Sequence, residues 1–273
     1  MFDILPSRRG EVLICAHRGH SIEGHENTRP ALGRAADLGA TLCEIDLRMT
    51  ADGRLIVFHD DILDHSSDGA GLIASMTYND ISRYKTKNRN GLAIEAQPIE
   101  SFEDILTFTR QLGLALIVEI KDKFVDEAYL QKVVKALEEN EMIERVLISS
   151  FDYVVLRDIK RLVPTIRIMG INYHHLIEPV LTAETASMDM MNTDYPQFSA
   201  ELAKKLHNAD IAVSYYVPAP AYFKLRRSYG FDYFEQLRML LIAGHIDMLV
   251  CDDVAWMVDF VTKSGLSLAK TYK

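Results

Sequence analysis

The 273-residue chain has few of the features that mark secreted or membrane proteins. It contains three cysteines, Cys15, Cys43 and Cys251, without the C-x-x-C spacing of a metal or redox site. Each lies in an apolar run, so we expect buried, reduced thiols rather than disulfides. The N-terminal residues have no apolar signal-peptide core, and no apolar run is long enough to span a bilayer. We therefore expect a cytoplasmic protein without membrane insertion.

The chain also lacks an excess of positive charge. Thirty Lys and Arg residues face 39 Asp and Glu residues, which gives a formal net charge of −9. This balance argues against the broad basic surface of a nucleic-acid-binding protein. A phosphate-containing ligand would need local compensation from a metal ion or a few placed cations. The composition leaves the oligomeric state open, with a homo-oligomer possible.

Apolar strand-like runs alternate with helical patterns along the whole chain. The eight predicted strands are residues 12–17, 41–47, 114–120, 146–150, 166–172, 188–192, 211–217 and 246–251. This alternation predicts an α/β fold, a (β/α)8 TIM barrel, in one domain over residues 1–273. Residues 60–98 interrupt the rhythm after an extra strand at 55–59, so we expect a small insertion after the second barrel strand. A dinucleotide-binding fold is disfavoured because no G-x-G-x-x-G motif follows the first strand.

Carboxylates are concentrated at the ends of the second and third predicted barrel strands. Glu44 and Asp46 are two residues apart and therefore point to the same side of their strand, and Glu119 ends the next strand. Three carboxylates meeting at a barrel mouth would repel one another unless a cation bridges them. Oxygen ligands of this kind suit Ca²⁺ or Mg²⁺ better than Zn²⁺. The alternative is that the acids form buried ion pairs with Arg18, Arg48 and Lys121, which compensate two adjacent charges less well.

Histidines and cations lie beside these acids in the sequence. His17 and His59 follow neighbouring strands and could transfer protons in a phosphodiester hydrolysis. Arg18 and Lys121 could hold the phosphoryl oxygens. Asn27 could either cap the first helix or contact the substrate. We expect the remaining histidines, including His20 and His25, in solvated loops, although those two follow the first strand and could face the mouth.

Together these motifs resemble the front of the glycerophosphodiester phosphodiesterases. The resemblance is dense over residues 12–121 and thinner towards the C-terminus. The matching segments are Ala16-His17-Arg18-Gly19, Glu26-Asn27-Thr28, Gly39-Ala40, Glu44-x-Asp46, Thr50-x-Asp52-Gly53, His59-Asp60, Pro98-Ile99-x-Ser101-Phe102-Glu103-Asp104, Glu119-Ile120-Lys121 and Ser150-Phe151.

The resemblance implies a TIM barrel with Ca²⁺ or Mg²⁺ held by Glu44, Asp46 and Glu119. It also implies His17 and His59 as the acid–base pair and Arg18 and Lys121 as phosphate ligands. The implied reaction hydrolyses a small phosphodiester to an alcohol and sn-glycerol 3-phosphate. The glycerol hydroxyl next to the phosphate could attack first, giving a cyclic intermediate that water opens.

The sequence departs from the family pattern outside the catalytic half. His25 replaces a proline before Glu-Asn-Thr, and Tyr215-Tyr216-Val217-Pro218 replaces the usual Trp-Thr-Val-Asn at the end of strand seven. Cys251-Asp252-Asp253-Val254 replaces the usual Thr-Asp-x-Pro. A pocket containing Tyr215 as a substrate contact could accept a sugar or another polyol, because tyrosines suit rings and hydroxyls.

Three alternatives to a hydrolase of glycerol esters stay open at this level. One is a barrel that binds phosphodiesters without cleaving them, although all the catalytic-type residues are present. Another is a lyase related to sphingomyelinase D that stops at the cyclic phosphate, which the missing signal peptide and disulfides disfavour. An unrelated barrel enzyme, such as a metal-dependent sugar isomerase, is disfavoured by the His-Arg-Gly opening and the Glu-x-Asp spacing.

Overall fold

A closed barrel of eight parallel strands forms the centre of the molecule. The structure, a computed structural model, describes residues 2–88, 91 and 93–271. Closure occurs because β1 pairs in parallel with both β2 and β9, so the predicted TIM barrel is confirmed. The barrel strands are β1 (Glu11–Ala16), β2 (Leu42–Met49), β4 (Ala115–Ile120), β5 (Val146–Ser150), β6 (Arg167–Ile171), β7 (Met190–Asp194), β8 (Ala212–Val217) and β9 (Met248–Cys251). Two further strands are β3 (Leu55–Val57), antiparallel to β2, and β10 (Ser267–Leu268), parallel to the start of β1.

Helices separate the barrel strands and cover their outer surface. They are α1 (Arg29–Asp37), α2 (Tyr78–Ile81), α3 (Phe102–Leu112), α4 (Glu127–Glu139), α5 (Tyr153–Leu162), α6 (Pro179–Ala186), α7 (Ala200–Asn208), α8 (Pro220–Ser228), α9 (Tyr233–Ile242) and α10 (Val254–Lys263). Local chemistry fixes several starts: the Ser101 hydroxyl accepts a hydrogen bond from the Asp104 amide, and the Asp126 carboxylate accepts one from that of Tyr129. Among the described residues, no helix combines the length and the apolar character needed to cross a membrane.

Strand alternation divides the buried side chains into two layers. Inward-facing residues such as Leu42, Ile117 and Met169 fill the barrel interior. Their outward-facing neighbours, such as Cys43 and Val118, pack against the surrounding helices. Near the carboxyl ends of the strands the inward positions become polar, and this change places the candidate site in the mouth of the barrel.

The segment after β3 packs on its own small apolar cluster. Ile56 and Phe58 contact Leu63, Ile73 and Ile81 there, beside the main core. The predicted insertion at 60–98 covers this region, but positions 89, 90 and 92 lie outside the described residues, as do residues 1, 272 and 273. The prediction of a single domain over residues 1–273 stays a prediction.

The segment between β8 and β9 contains two helices, α8 and α9. Gly230 lies between them with a φ of +86°, a conformation that glycine adopts readily and that ends a helix. The resulting α8 follows the carboxyl end of β8 directly and therefore lies at the mouth of the barrel.

Candidate active site

Three carboxylates meet inside the barrel mouth. Glu44 and Asp46 project inward from β2, and Glu119 projects from β4, where it is paired in register with Asp46. One oxygen from each of the three lies within 4.8 Å of the others, and all three residues are buried. The expected convergence of these carboxylates is therefore present in the fold.

The oxygen atoms of these acids are incompletely satisfied by protein partners. Glu44 Oε2 accepts a hydrogen bond from the Arg18 backbone amide at 2.9 Å, but Oε1 has no hydrogen-bond partner among the described residues. Asp46 Oδ1 has Lys121 Nζ at 3.5 Å, and Glu119 Oε1 has the same nitrogen at 2.9 Å. A buried, unpartnered carboxylate oxygen costs free energy unless a ligand binds it. The donor set of three carboxylates fits a hard divalent cation.

Burial and mutual repulsion shift the ionisation of these acids in different directions. Burial, then the charges of Asp46 and Glu119, raise the pKa of Glu44 well above its usual value. Burial and the Asp46 charge likewise raise the pKa of Glu119, against the pull of Lys121. Burial opposes ionisation of Asp46 as well, but Arg18 and Lys121 outweigh it, and the pKa of that carboxyl is lowered. Without a bound cation, these shifts favour protonation of Glu44 and Glu119.

Two cations lie against the acid cluster. Arg18 Nε lies 3.2 Å from Asp46 Oδ2, and its Nη1 donates to Glu26 at 3.1 Å. Lys121 bridges Asp46 and Glu119. The ion pairs of the alternative interpretation are therefore present for Arg18 and Lys121, but they leave Glu44 Oε1 unsatisfied. Arg48 contacts Asp122 and the His59 carbonyl instead of the cluster.

Asn27 does not cap the first helix, which was one of the two roles suggested by its sequence position. Thr28 is the N-cap residue of α1, and the Asn27 side chain points to the acids. Its Nδ2 donates to Asp46 Oδ2 at 2.7 Å, and its Oδ1 accepts from the Asp46 amide at 3.0 Å. Asn27 has a φ of +60°, so its backbone also forms the sharp turn before α1. It orients Asp46, and a direct substrate contact stays a prediction.

His17 is held in place by residues from the far end of the chain. Its Nδ1 lies 2.7 Å from Asp252 Oδ1, directly after β9, and the Tyr216 hydroxyl donates to the second Asp252 oxygen at 3.1 Å. The Tyr216 ring also packs edge-on against the imidazole. Burial would raise the pKa of Asp252, but the hydrogen bonds and charges of its neighbours, with His17 foremost, outweigh it and lower that pKa. Asp252 is thus a carboxylate that leaves Nε2 of His17 as the free ring nitrogen.

His59 has a parallel arrangement on the other side of the acids. Its Nδ1 lies 2.9 Å from Asp60 Oδ1, and the Ser66 hydroxyl donates to Asp60 Oδ2. Burial lowers the pKa of His59, which the nearby Asp46 charge only partly offsets. Both predicted proton-transfer residues therefore have one ring nitrogen oriented by a carboxylate.

Tyr215, which was expected to contact the substrate, does not face the barrel mouth. Tyr215 points outward from β8 into the helical layer, where it packs edge-on against Phe198 and lies beside Tyr233. Its neighbour Tyr216 points inward and lines the cavity with His17. The alternation of the strand carries the missed signal: Ala212 and Ser214 are small, whereas Val213, Tyr215 and Val217 are the large apolar residues expected against helices.

The structure also corrects the placement of two loop histidines. His20 and His25 are buried rather than solvated, with 1% and 4% of their surfaces exposed. Val254 donates its amide to His20 Nδ1, which joins the β1–α1 loop to the start of α10. Neither position was distinguishable in sequence, because the residues around them are polar.

Two cavities of about 310 and 340 Å³ open beside the acids, and both contact His17, Arg18 and Tyr216. Several residues that line them, notably Tyr173 and Asp194, were not predicted from the sequence. A larger cavity of about 1190 Å³ lies at the opposite end of the barrel, near Phe2 and Leu268, and none of the predicted site residues lines it.

Comparison with known proteins gives one consistent result. The model of the glycerophosphoryl diester phosphodiesterase family matches residues 17–233. A glycerophosphodiester phosphodiesterase of Caldanaerobacter subterraneus subsp. tengcongensis is 27% identical, over 93% of this chain and 100% of that protein.

Solved structures show the same fold. An Oleispira antarctica phosphodiesterase in complex with the product sn-glycerol-3-phosphate aligns with a TM-score of 0.78 at 20% identity, covering 94% of this chain and 99% of that one. The glycerophosphodiester phosphodiesterase of Agrobacterium tumefaciens aligns with a TM-score of 0.75 at 19% identity, covering 92% and 99%. Because the family match spans most of the chain and includes the three acids, both histidines and both cations, this protein belongs to the glycerophosphoryl diester phosphodiesterase family and is a phosphoric diester hydrolase.

Proposed function

We propose that the protein hydrolyses a glycerophosphodiester to an alcohol and sn-glycerol 3-phosphate in a reaction that depends on a divalent cation. The observation that carries this proposal is the buried trio of Glu44, Asp46 and Glu119, in which one Glu44 oxygen has no hydrogen-bond partner in the described part of the chain. These three residues would hold Ca²⁺ or Mg²⁺. A bound cation would neutralise charge on the phosphoryl oxygens and polarise the phosphorus.

The chain's own residues would bind the phosphate and move the protons. Arg18 and Lys121 lie at the edge of the acid cluster and would each contact phosphoryl oxygens. One of His17 and His59 would take a proton from the attacking hydroxyl through Nε2. The other would give a proton to the alkoxide as the P–O bond to the alcohol breaks. The carboxylates of Asp252 and Asp60 would keep both rings oriented for these transfers.

The attacking hydroxyl could belong to water or to the glycerol carbon next to the phosphate. In the second case the alcohol leaves first and a cyclic phosphate forms, and water then opens the ring to give the monoester. Such a path uses the two histidines twice, with their acid and base roles exchanged. An enzyme that stopped after the first step would be a lyase.

The 340 Å³ cavity beside the acids supports a second candidate for the leaving group. Tyr173, Tyr216, Asn192 and Asp194 line it and offer ring faces and hydrogen-bonding groups. Such a lining suits a sugar or another polyol as well as a small amino alcohol. The reaction at phosphorus would be the same for both classes.

Phosphorus NMR on metal-stripped protein tests the proposal directly. We expect no turnover of glycerophosphoethanolamine or a glycerophospho-sugar until Mg²⁺ or Ca²⁺ is added, and then sn-glycerol 3-phosphate as the product. A matched variant is Glu44→Gln, which keeps the side-chain shape and should lower activity by at least about 100-fold at saturating metal. Full activity in chelator would refute metal dependence. Accumulation of cyclic phosphate would identify a lyase, and binding without turnover a receptor.

A further inference from the structure

Helix α8 packs on the rest of the protein through one fully buried side chain, that of Phe223. Phe223 is buried and stacks on Tyr233 with ring centroids 3.9 Å apart, whereas every other α8 side chain in this fully described helix is partly or largely exposed. Leu225 and the following Tyr229 expose 70% and 84% of their surfaces. A nine-residue helix normally hides an apolar stripe against its own domain. The exposed apolar side chains of Tyr222, Leu225 and Tyr229 therefore form a surface that the barrel leaves uncovered.

The same helix is strongly basic in an acidic protein. Lys224, Arg226 and Arg227 lie on it, and residues 218–231 contain no acidic residue, although the whole chain has a net charge of −9. Arg226 lies over the ring of Tyr222, 4.7 Å from its centroid, and Arg227 has Asp232 at 3.7 Å. Cations beside exposed aromatic and aliphatic side chains are the pattern of a helix that lies in the headgroup layer of an anionic membrane.

Two other loops carry highly exposed apolar residues at the same end of the barrel. Phe124, after β4, is 95% exposed, and Ile177, after β6, is 96% exposed. In the order of the barrel strands β4 is opposite β8, and β6 lies midway between them. Lys123 and Asp126 flank Phe124, and Glu178 follows Ile177, so the positive charge is specific to α8. Apolar side chains thus surround the mouth on the side of β4 to β8.

We propose that this surface, formed by α8 with Phe124 and Ile177, docks the protein on anionic lipid surfaces with the barrel mouth facing the headgroups. Charge complementarity favours an anionic lipid layer as the occupant, because in a two-fold symmetric dimer formed through this surface the same basic helix would face its own copy. The docked mouth would receive phosphodiesters released from, or still held in, a lipid layer. Binding is peripheral and does not depend on the proposed catalytic reaction.

Sedimentation with lipid vesicles tests the docking without using activity. We expect the intact protein to bind mixed phosphatidylcholine–phosphatidylglycerol vesicles at low salt and to bind phosphatidylcholine alone at least about tenfold more weakly. Replacing Lys224, Arg226 and Arg227 by Gln should reduce binding to the anionic vesicles by about fivefold per cation. Leu225→Glu combined with Tyr229→Glu should abolish it, because carboxylates would enter the headgroup layer.

The matched control is Ile242→Glu. Ile242 is 52% exposed at the end of α9, on the opposite face of the barrel, so its replacement should leave vesicle binding unchanged. Hydrolysis of a soluble glycerophosphodiester by every variant reports on folding, since none of these residues is assigned to the catalytic site. Equal binding to both vesicle types, or an equal loss in the control, would overturn the proposal. Self-association that disappears in the Leu225/Tyr229 variant would do so too, by making a second copy the occupant.

Discussion

At the residue scale, each of the two candidate proton-transfer histidines is oriented by a carboxylate on Nδ1. Asp252 contacts His17 and Asp60 contacts His59, so each ring retains Nε2 for chemistry. A fixed tautomer matters because a ring that rotates or exchanges its proton between nitrogens is not aligned with the breaking P–O bond.

Replacing either histidine should remove most of the activity. We expect His17→Ala and His59→Ala each to lower kcat by about 10²- to 10⁴-fold, the range for losing a general acid or base. Circular dichroism should show an unchanged fold, because both side chains are partly exposed at the mouth. His174→Ala is the control, since that histidine is exposed and outside the acid cluster. Near-normal kcat in either test variant would exclude that histidine from proton transfer.

Asp252→Asn should change both the activity and the acid stability of the protein. The pKa of Asp252 is lowered in the fold, so its carboxylate stabilises the protein above the usual carboxyl pKa of about 4, and this stabilisation is lost as pH falls through the lowered value. The variant should lose about 1–3 kcal/mol at neutral pH, from one part-buried charged hydrogen-bond set, and this deficit should shrink below about pH 4.

Urea unfolding at several pH values measures the Asp252 effect on stability, with kcat at neutral pH as the second readout. We expect kcat to fall, because an amide does not hold the His17 ring as the carboxylate does. A stability deficit that is independent of pH, with an unchanged kcat, would mean that Asp252 only fills space.

At the element scale, the loop from β1 to α1 combines unusual backbone angles with close packing. Arg18, Gly19 and Asn27 all have positive φ angles, of 58°, 80° and 60°. A Cβ atom on Gly19 would lie 2.7 Å from the Ala31 backbone carbon. Since backbone cannot move as cheaply as a side chain, this loop requires glycine to bring Arg18 and Asn27 to the acids.

Gly19→Ala should therefore destabilise the fold by more than about 1 kcal/mol and lower activity as well. Gly33→Ala in α1 is the matched control. A Cβ at Gly33 meets only the Phe108 ring, at 3.6 Å, so this change should stabilise the helix by about 0.5–1 kcal/mol. Chemical denaturation measures both variants. If they behaved alike, close approach at Gly19 would not be the reason for glycine there.

Elements with strong end signals could be predicted from the sequence, and elements without them could not. The predicted strand 146–150 coincides with β5, because a clear apolar run marks its limits, and Asp152 caps the helix α5 that follows it. β10 was missed because two residues carry no periodicity. Tyr215 was predicted at the mouth, whereas Tyr216 lies there. Residue type does not distinguish two adjacent tyrosines, because the face of the strand decides which side chain reaches the mouth.

At the scale of the whole molecule, the site combines residues that are far apart in sequence. The acids, both histidines and both cations of the site were predictable because each lies in a strand or shortly after one, and the barrel brings the carboxyl ends of its strands together. The contacts of Asn27 with Asp46 and of Asp252 with His17 were not, since they depend on loop paths that no local pattern encodes. Cytoplasmic location, oligomeric state and the identity of the metal stay predictions.

The acid cluster should make the stability of the whole protein depend on divalent cations. A cation held at 100 times its dissociation constant would stabilise the fold by about 2.7 kcal/mol, because it binds the folded protein and finds no such site in the unfolded chain. Differential scanning calorimetry should show Tm rising with Mg²⁺ or Ca²⁺ concentration. Glu44→Gln should abolish this dependence, because an amide is a much weaker ligand for a hard divalent cation than a carboxylate. A Tm that ignored both cations would leave the trio without a bound metal.

The pairing of β1 with β9 has a consequence for the synthesis of the protein on the ribosome. His17 and its partner Asp252 are separated by 235 positions, and β9 must pair with β1 before they can touch. A nascent chain that already contains the acids, the cations and both histidines still lacks β9, the barrel strand that closes the sheet against β1. Activity should therefore appear only after β9 has left the exit tunnel, and ribosome-bound chains that stop before β9 should be inactive.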